Sequence, residues 1–401
     1  MNQPTTDASA DPNAPQPAEK RPVVRALIEA LPEGTVLLGS DVTERSAGIW
    51  RTDHLTAQGL VRPKTTEEVR LAPQTCAEHH QSVVPQGGLT GLVEGGLTEP
   101  QDIVLSTERM TQIEEVSADE RTLTVQAGVI LQTIQETAAE HGLMFPLDLG
   151  GRGSCTIGGN LATNAGGNRV IRYGMARDMV LGLEAVLADG TIISSMNHMI
   201  KNNAGFDLKQ WFLGTEGTLG IITRAVLRCR EEVSEAPTAL VAVSSFDGLI
   251  AFLKHMDQGL RGHLSAFEVM WNNFYTLVTT PPAVNQAPLS SEWPYYVLVE
   301  AMGSEEDQFS EVLTQAIETS LIEDAVLAQS SQQQASLWAL RDDVAQAFQF
   351  SPVFLFDVSL RLPQMAAYVE AVNTALEARF EQPRNFVLGH VGDGNIHFAI
   401  A

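Results

Sequence analysis

Apolar and polar positions alternate along this chain in short blocks, and the blocks mark out its elements. The apolar positions of Val23–Leu31 predict a helix and those of Thr35–Leu38 a short strand. Thr65–His80 opens on Thr66 followed by the acidic Glu67 and Glu68 and continues in helix formers, the pattern of a second helix. Ser82, Val83 and Val84 form a strand running into the glycine-rich stretch Pro85–Gly96. Ile103–Leu105 and Leu123–Val125 are further short strands, and Leu131–Glu140 is helical. Val180–Leu187 and Thr191–Ser194 read as two strands joined at the turn Asp189-Gly190. Beyond Glu231–Pro237 the glycine clusters give way to plain alternation of helix and strand, and a domain boundary is placed there. No repeat of about 20–50 residues runs through the chain. Every apolar run is broken by charge or glycine well short of the ~18 residues a transmembrane helix needs.

Composition narrows the functional classes. The chain has 401 residues, 44% hydrophobic and 18% charged, enough for two or three cores. Its 25 Lys+Arg against 49 Asp+Glu leave a net charge of -24, which repels phosphate backbones and anionic lipid. No nucleic acid and no polybasic membrane anchor are therefore expected. Cys76, Cys155 and Cys229 are widely spaced, match neither a disulfide framework nor a zinc pattern, and suit a reducing compartment. Residues 1–20 carry Pro4, Pro12, Pro15 and Pro17 and no large apolar side chain beyond Met1, the composition of a disordered tail. That stretch lacks the basic start of a secretory signal and the arginines of a mitochondrial leader, so the expected location is cytoplasmic. At the other end Ala401 directly follows the polar stretch Gly389–His397, which reads as a truncated sequence.

The candidate chemistry begins with the clustering of glycine. Three clusters, Pro85–Gly96, Gly150–Gly167 and Leu213–Thr223, fall between residues 85 and 223. Singly, each is no more than a tight turn. Together, loops that present main-chain N–H groups without side chains in the way suit a pyrophosphate held by one long ligand. There is no GxxxxGK[ST] phosphate loop, and no GxGxxG follows a strand and opens a helix.

Four stretches of the first half resemble the FAD-binding domain of the vanillyl-alcohol oxidase and p-cresol methylhydroxylase (PCMH) superfamily. They are Arg62–Val69, Val84–Gly91, Pro146–Gly167 and Asp207–Thr223. The second half is similar to its D-2-hydroxyglutarate and D-lactate dehydrogenase branch through Leu264–Met270, Leu337–Val344, Phe354–Leu360 and Gly389–Phe398. The resemblance implies an α+β fold: a two-subdomain PCMH-type FAD-binding domain over 21–235, then a cap domain with an antiparallel sheet over 236–401. It also implies that Gly87, Gly88, Leu89, Thr90 and Gly91 hold the FAD pyrophosphate with main-chain donors, and that Pro85 lies at the cofactor. Pro146, Gly153, Ser154, Thr156, Gly158, Gly159, Asn160, Thr163, Asn164 and Gly166 would line the pyrophosphate and the isoalloxazine edge. Glu216, Gly217, Gly220 and Ile222 would lie on the adenosine side. Relatives that attach FAD covalently often place a histidine where Leu89 stands; leucine has no nucleophile, so non-covalent FAD is expected.

His390 and His397 flank Gly392-Asp393-Gly394-Asn395. A hairpin centred on Asp393-Gly394 would set residue 390 opposite 397, with Cβ atoms about 4.5–5.5 Å apart. On its own such a pair is more often structural than metal-binding. The resemblance implies a divalent metal such as zinc or manganese on His390 and His397, with a third ligand from a later Glu-His-Gly segment that this sequence does not reach. Arg341 reads by itself as a solvated helix cation paired with Asp342 or Asp343. The resemblance makes it a bidentate clamp for a substrate carboxylate.

Two departures bear on substrate. D-2-hydroxyglutarate enzymes carry threonine where Ala345 stands and lysine where Leu355 stands, so a monocarboxylate or an apolar 2-hydroxy acid fits better. Ala399 likewise replaces a frequent asparagine. Trp271, Trp293 and the phenylalanines between Phe348 and Phe356 read as core and interface, on the alternation around Phe354 and Phe356. Cys155 has no basic neighbour in sequence to make it reactive. The activity implied is oxidation of a D-2-hydroxy acid to its 2-oxo acid, with electrons passing to an electron-transfer flavoprotein or a quinone. An O2-using oxidase of the same superfamily and a catalytically incomplete FAD-binding protein are the alternatives; a homodimer is compatible with the charge.

Overall fold

The computed structural model describes residues 21–401; the tail expected over residues 1–20 lies outside them. The described residues begin with a small sheet of β1 (Val36–Leu37), β2 (Gly59–Val61), β3 (Val83–Gln86) and β4 (Ile103–Ser106) in the order β1-β2-β4-β3. β2 and β3 run parallel to β4, and β1 antiparallel to β2. Helices Pro22–Ala30 and Thr66–Glu78 supply Val23, Val24, Leu27, Val69, Ala72 and Cys76 to its core. The second helix is capped by Thr65, one residue ahead of the expected Thr66, with its hydroxyl accepting from the Glu68 N–H at 3.2 Å.

A second sheet follows. Its chain order is β5 (Ile113–Ser117), β6 (Thr122–Gln126), β7 (Leu143–Met144), β8 (Val180–Val186), β9 (Ile192–Ser195), β10 (Ile221–Arg228) and β11 (Arg230–Glu231). Five of these form an antiparallel sheet in the order β5-β6-β10-β8-β9, while β7 and β11 pair separately. The β8–β9 turn is the expected one: Gly190 takes φ +85°, and Asp189 accepts from the Thr191 N–H at 2.8 Å.

The second half is one seven-stranded antiparallel sheet. Its strands are β12 (Thr238–Val243), β13 (Leu264–Trp271), β14 (Tyr295–Ala301), β15 (Asp324–Leu327), β16 (Phe354–Ser359), β17 (Asn385–Gly389) and β18 (Asn395–Ile400). They lie in the order β15-β12-β14-β13-β17-β18-β16. Side chains alternate between two buried faces. Val241, Phe267, Val269, Val297, Val299, Val387 and Phe398 meet helices Phe246–Leu260, Glu306–Glu318 and Met365–Glu377. Leu240, Met270, Tyr296, Leu298, Leu388 and Ala399 meet helices Asn272–Thr279 and Ser331–Asp342 on the other face. The fold is therefore α+β. Among the described residues no helix is long and apolar enough to cross a membrane.

The edge strand β16 corrects one expectation. Burial does not alternate along it: Leu355 and Val358, on opposite faces, are the partly buried residues, and Phe354 and Phe356 stand 62% and 50% exposed. A side chain on the last strand of a sheet has a neighbouring strand on one side only.

The two halves are joined by charge. Arg169 reaches Asp148 at 3.4 Å within the first half and Glu300 of β14 at 3.3 Å in the second. Glu300 is 1% exposed and also accepts from Ser265 Oγ at 2.9 Å. Breaking a buried pair from one side strands the other charge. Arg169→Met is thus expected to lower stability by about 3–5 kcal/mol, measured by denaturant unfolding. A loss below about 1 kcal/mol would show that the joint does not rest on this bridge.

Candidate functional site

Three glycine loops meet, the first two of them backbone to backbone. The first leaves the carboxyl end of β3, where open parallel sheets commonly bind ligands. The buried Gln86 closes it by donating Nε2–H to the Gly96 carbonyl at 2.9 Å. A Cβ on Gly88 would lie 2.2 Å from the Ser154 carbonyl oxygen, and one on Gly87 would lie 2.4 Å from Thr156 Oγ1. Gly151 lies against Thr90. The third loop packs on the first: a Cβ on Gly217 would overlap Pro85 Cγ, and the Glu216 carboxylate lies over Gly95. Leu89 takes φ +53°, and its carbonyl accepts from the Ile49 N–H at 3.0 Å. A branched residue in the left-handed region is uncommon and marks a loop held by its surroundings.

The second loop turns into a short helix, Ile157–Ala162, capped by Thr156, whose Oγ1 accepts from Gly159 N–H at 3.4 Å. Gly158 packs on Ala127, and Thr163 donates to the Gly159 carbonyl at 3.0 Å. Asn164 takes φ +48° and accepts from the Arg177 N–H at 3.0 Å. Pro146 is buried, Gly153 lies near Gln132, Gly166 packs on Val170, and a Cβ on Gly91 would meet nothing within 4 Å. Asn160 Oδ1 is buried with no partner, an acceptor that a ligand donor would satisfy. This interlocked, glycine-rich seam with an orphaned acceptor fits an extended anionic cofactor. Two predicted positions stand apart from it. The Ile222 side chain is buried in the core under β10, and Gly220 packs on Phe212 and the Val186 carbonyl.

The polar cluster of the second half lies on the sheet face of Met270, Leu388 and Ala399. Arg341, in the last turn of helix Ser331–Asp342, donates Nε–H to Glu268 Oε2 at 2.7 Å. Its Nη1 pairs with Asp342 at 3.2 Å, as expected from sequence, but the guanidinium is largely buried rather than solvated. Glu268 Oε1 accepts from His390 Nδ1 at 2.6 Å, and His390 Nε2 faces Arg341 Nη2 at 3.2 Å. The His390 and His397 rings lie 5.0 Å apart, and His397 Nδ1 contacts Asp357 Oδ2 at 3.1 Å. Burial alone would raise the Glu268 carboxyl, but His390 and Arg341 outweigh it and bring it to about 2. Burial lowers His397, against the pull of Asp357, so its imidazole is neutral at pH 7.

The two imidazoles meet by a different route from the expected hairpin. His397 stands opposite Leu388, not residue 390, and β17 ends at Gly389. A tight 3-10 turn over Val391–Asp393, with Gly394 at φ +93°, returns the chain, so His390 reaches its partner from the loop. Both rings have Nδ1 on a carboxylate, the usual support for metal binding through Nε2. Among the described residues, no group of three His, Cys, Asp or Glu side chains forms a metal set.

Leu355 and Asp357 share one face of β16, opposite Ala399 and His397 on β18. Ala345 lies in the 3-10 segment Val344–Phe350 that follows Arg341. The His390 loop also touches the first half: a Cβ on Gly392 would lie 2.8 Å from Ile171, just beyond the second glycine loop. All three cysteines are buried and unpaired, with the Cys76 and Cys229 thiols pushed by burial up to about 12 and Cys155 also raised. Glu268 had no role in the sequence reading, although it lies inside the matched stretch Leu264–Met270.

Residues 57–195 match the FAD binding domain family, and residues 233–401 match the C-terminal domain of FAD linked oxidases. A putative mitochondrial D-lactate dehydrogenase of Schizosaccharomyces pombe is 39% identical over 358 residues, covering 86% of this chain and 68% of the relative. The mitochondrial D-2-hydroxyglutarate dehydrogenase of Bos taurus is 37% identical over 383 residues, covering 94% and 69%. Among solved structures, p-cresol methylhydroxylase with substrate bound superposes with a TM-score of 0.75 at 13% identity, covering 94% of this chain and 82% of that one. That likeness concerns the fold.

Proposed function

Because the chain belongs to the D-2-hydroxyglutarate and D-lactate dehydrogenase branch of the FAD-linked oxidases, we propose that it oxidises a D-2-hydroxy acid to the 2-oxo acid with non-covalent FAD. The observation that carries this reading is Arg341, a buried guanidinium beside two imidazoles in a chain of charge -24. Glu268 and Asp342 already balance its charge, so what it offers a substrate carboxylate is the N–H groups left on Nη1 and Nη2 of the planar guanidinium, whose fork matches that group. The seam of Gly87–Gly91, Gly153–Gly159 and Glu216–Gly217 would hold FAD, which when bound supplies the acceptor for the hydride from C2. Leu89 offers no atom for covalent attachment. His390 and His397 would hold a divalent metal such as zinc or manganese, which when bound supplies Lewis-acid polarisation of an oxygen. Their carboxylate partners hold the ring protons on Nδ1, and on His390 the Nε2 lone pair that a metal would take faces Arg341 Nη2 at 3.2 Å, so metal and guanidinium compete for it. Electrons leave to an electron-transfer flavoprotein or a quinone.

Leu355 supports a substrate whose side chain is short or apolar rather than a diacid. It projects from the same face of β16 as Asp357 and packs on the apolar core beneath the site. Anaerobic titration with D- and L-2-hydroxy acids tests both points through flavin bleaching at 450 nm. D-acids alone should bleach, with an apolar monocarboxylate preferred to D-2-hydroxyglutarate. Leu355→Lys should move that preference at least ~10-fold toward the diacid, about 1.4 kcal/mol. Bleaching by L-acids, or by no hydroxy acid, would sink the assignment.

A further inference from the structure

Glu268 touches both groups assigned above and belongs to neither assignment. It is 1% exposed on the interior strand β13, which pairs with β14 on one side and β17 on the other. Its two oxygens serve two elements distant in sequence: Oε2 accepts from Arg341 Nε at 2.7 Å and Oε1 from His390 Nδ1 at 2.6 Å. Arg341 Nη2 closes the ring onto His390 Nε2 at 3.2 Å.

The donor inventory determines the protonation pattern of this ring. A guanidinium only donates, and an ionised carboxylate only accepts. His390 must therefore carry its proton on Nδ1 toward Glu268, which leaves a lone pair on Nε2 toward Arg341. We infer that Glu268 is a positioning residue for the reaction, one carboxylate that aims the Arg341 guanidinium and holds His390 in the Nδ1–H tautomer. The inference rests on the roles given to Arg341 and His390 above. A neutral amide of the same shape cannot do both. A glutamine in place of Glu268 has one accepting oxygen and one donating nitrogen. Arg341 cannot accept, so the oxygen goes to Nε–H and the amide N–H₂ faces His390 Nδ1, driving the imidazole proton to Nε2 and turning Arg341 Nη2, which can only donate, away from it.

Histidine-selective 15N labelling of the FAD-loaded, chelator-treated protein reads this directly, because two-bond couplings distinguish the tautomers, no metal occupies Nε2, and His390→Asn assigns the signal. The expected wild-type result is His390 protonated on Nδ1. Glu268→Gln should move the proton to Nε2 and lower kcat/KM for the best D-2-hydroxy acid about 100-fold, a loss of the kind seen for partners of metal ligands. Glu268→Asp should recover at least a tenth of the wild-type value. A wild-type His390 protonated on Nε2 would overturn the inference, and that measurement stands even if Glu268→Gln fails to fold. So would a Glu268→Gln protein with unchanged tautomer and kcat/KM within twofold. If no hydroxy acid bleaches the flavin while the tautomer moves as expected, the proposed reaction falls and the positioning role of Glu268 stands.

Discussion

Arg341→Met is expected to lower kcat/KM for a D-2-hydroxy acid by about 10²–10⁴-fold, the span of about 3–5 kcal/mol for removing one partner of a buried charged pair. Two effects add. The substrate carboxylate loses its bidentate donor, which raises KM. Glu268, 1% exposed, loses the cation at 2.7 Å and keeps only His390. The second effect has a signature in pH. In the folded protein the Glu268 carboxyl lies at about 2, below its ordinary value of 4.5. A depressed carboxyl binds its proton more weakly when folded, so its contribution is fully present above about pH 4.5 and fades as pH falls toward 2. Without Arg341 the depression shrinks, so the variant should be less stable at pH 7 and its stability less dependent on pH between about 4.5 and 2. Steady-state kinetics with denaturant unfolding at several pH values checks both. Unchanged KM would remove Arg341 from the substrate site, and an unchanged acid limb would remove it from control of Glu268.

Gly88→Ala should yield protein that purifies without colour. The added methyl would stand 2.2 Å from the Ser154 carbonyl oxygen and 2.9 Å from Cys155 Cα. Both atoms belong to backbone, so no side-chain rotation relieves the overlap, and the first two glycine loops must move apart. Overpacking of this kind costs about 1–3 kcal/mol. Because the strain falls on the seam proposed to hold FAD, most of it should appear as lost affinity, roughly 10–100-fold. Gly150→Ala is the matched control, since its methyl would meet nothing within 4 Å and the residue is not among those assigned to FAD. FAD fluorescence titration with far-UV circular dichroism separates lost binding from lost folding. A Gly88→Ala protein that keeps its flavin at wild-type affinity would show that this contact lies away from the cofactor.

Much of the first half was legible because its signals are local. The helix over Thr66–Glu78 is announced by Thr66 with the acidic Glu67 and Glu68, one residue past the Thr65 that caps it, and the β8–β9 turn by Asp189-Gly190. The glycine clusters are likewise local in sequence, although only the folded chain shows that Gly88 meets Ser154 and Gly217 meets Pro85. In the second half the matched motifs marked Arg341, His390 and His397, but not how they meet. The histidines converge because a 3-10 turn and Gly394 reshape a hairpin whose register differs from a two-residue turn at Asp393-Gly394. The exposure of Phe354 and Phe356 follows from the place of β16 at the sheet edge, and alternation along one strand cannot reveal which strand is last.

Glu268 is the clearest case of what tertiary structure alone decided. Within Leu264–Trp271 it is one acid in an apolar strand, and its partners Arg341 and His390 lie 73 and 122 residues away. Sequence by itself determined the periodic elements, the glycine loops and the charge that makes a buried arginine noteworthy, because each arises from neighbours in the chain. The alignment of one carboxylate with two donors on separate elements depends on strand order and register, which are set only when the whole sheet packs.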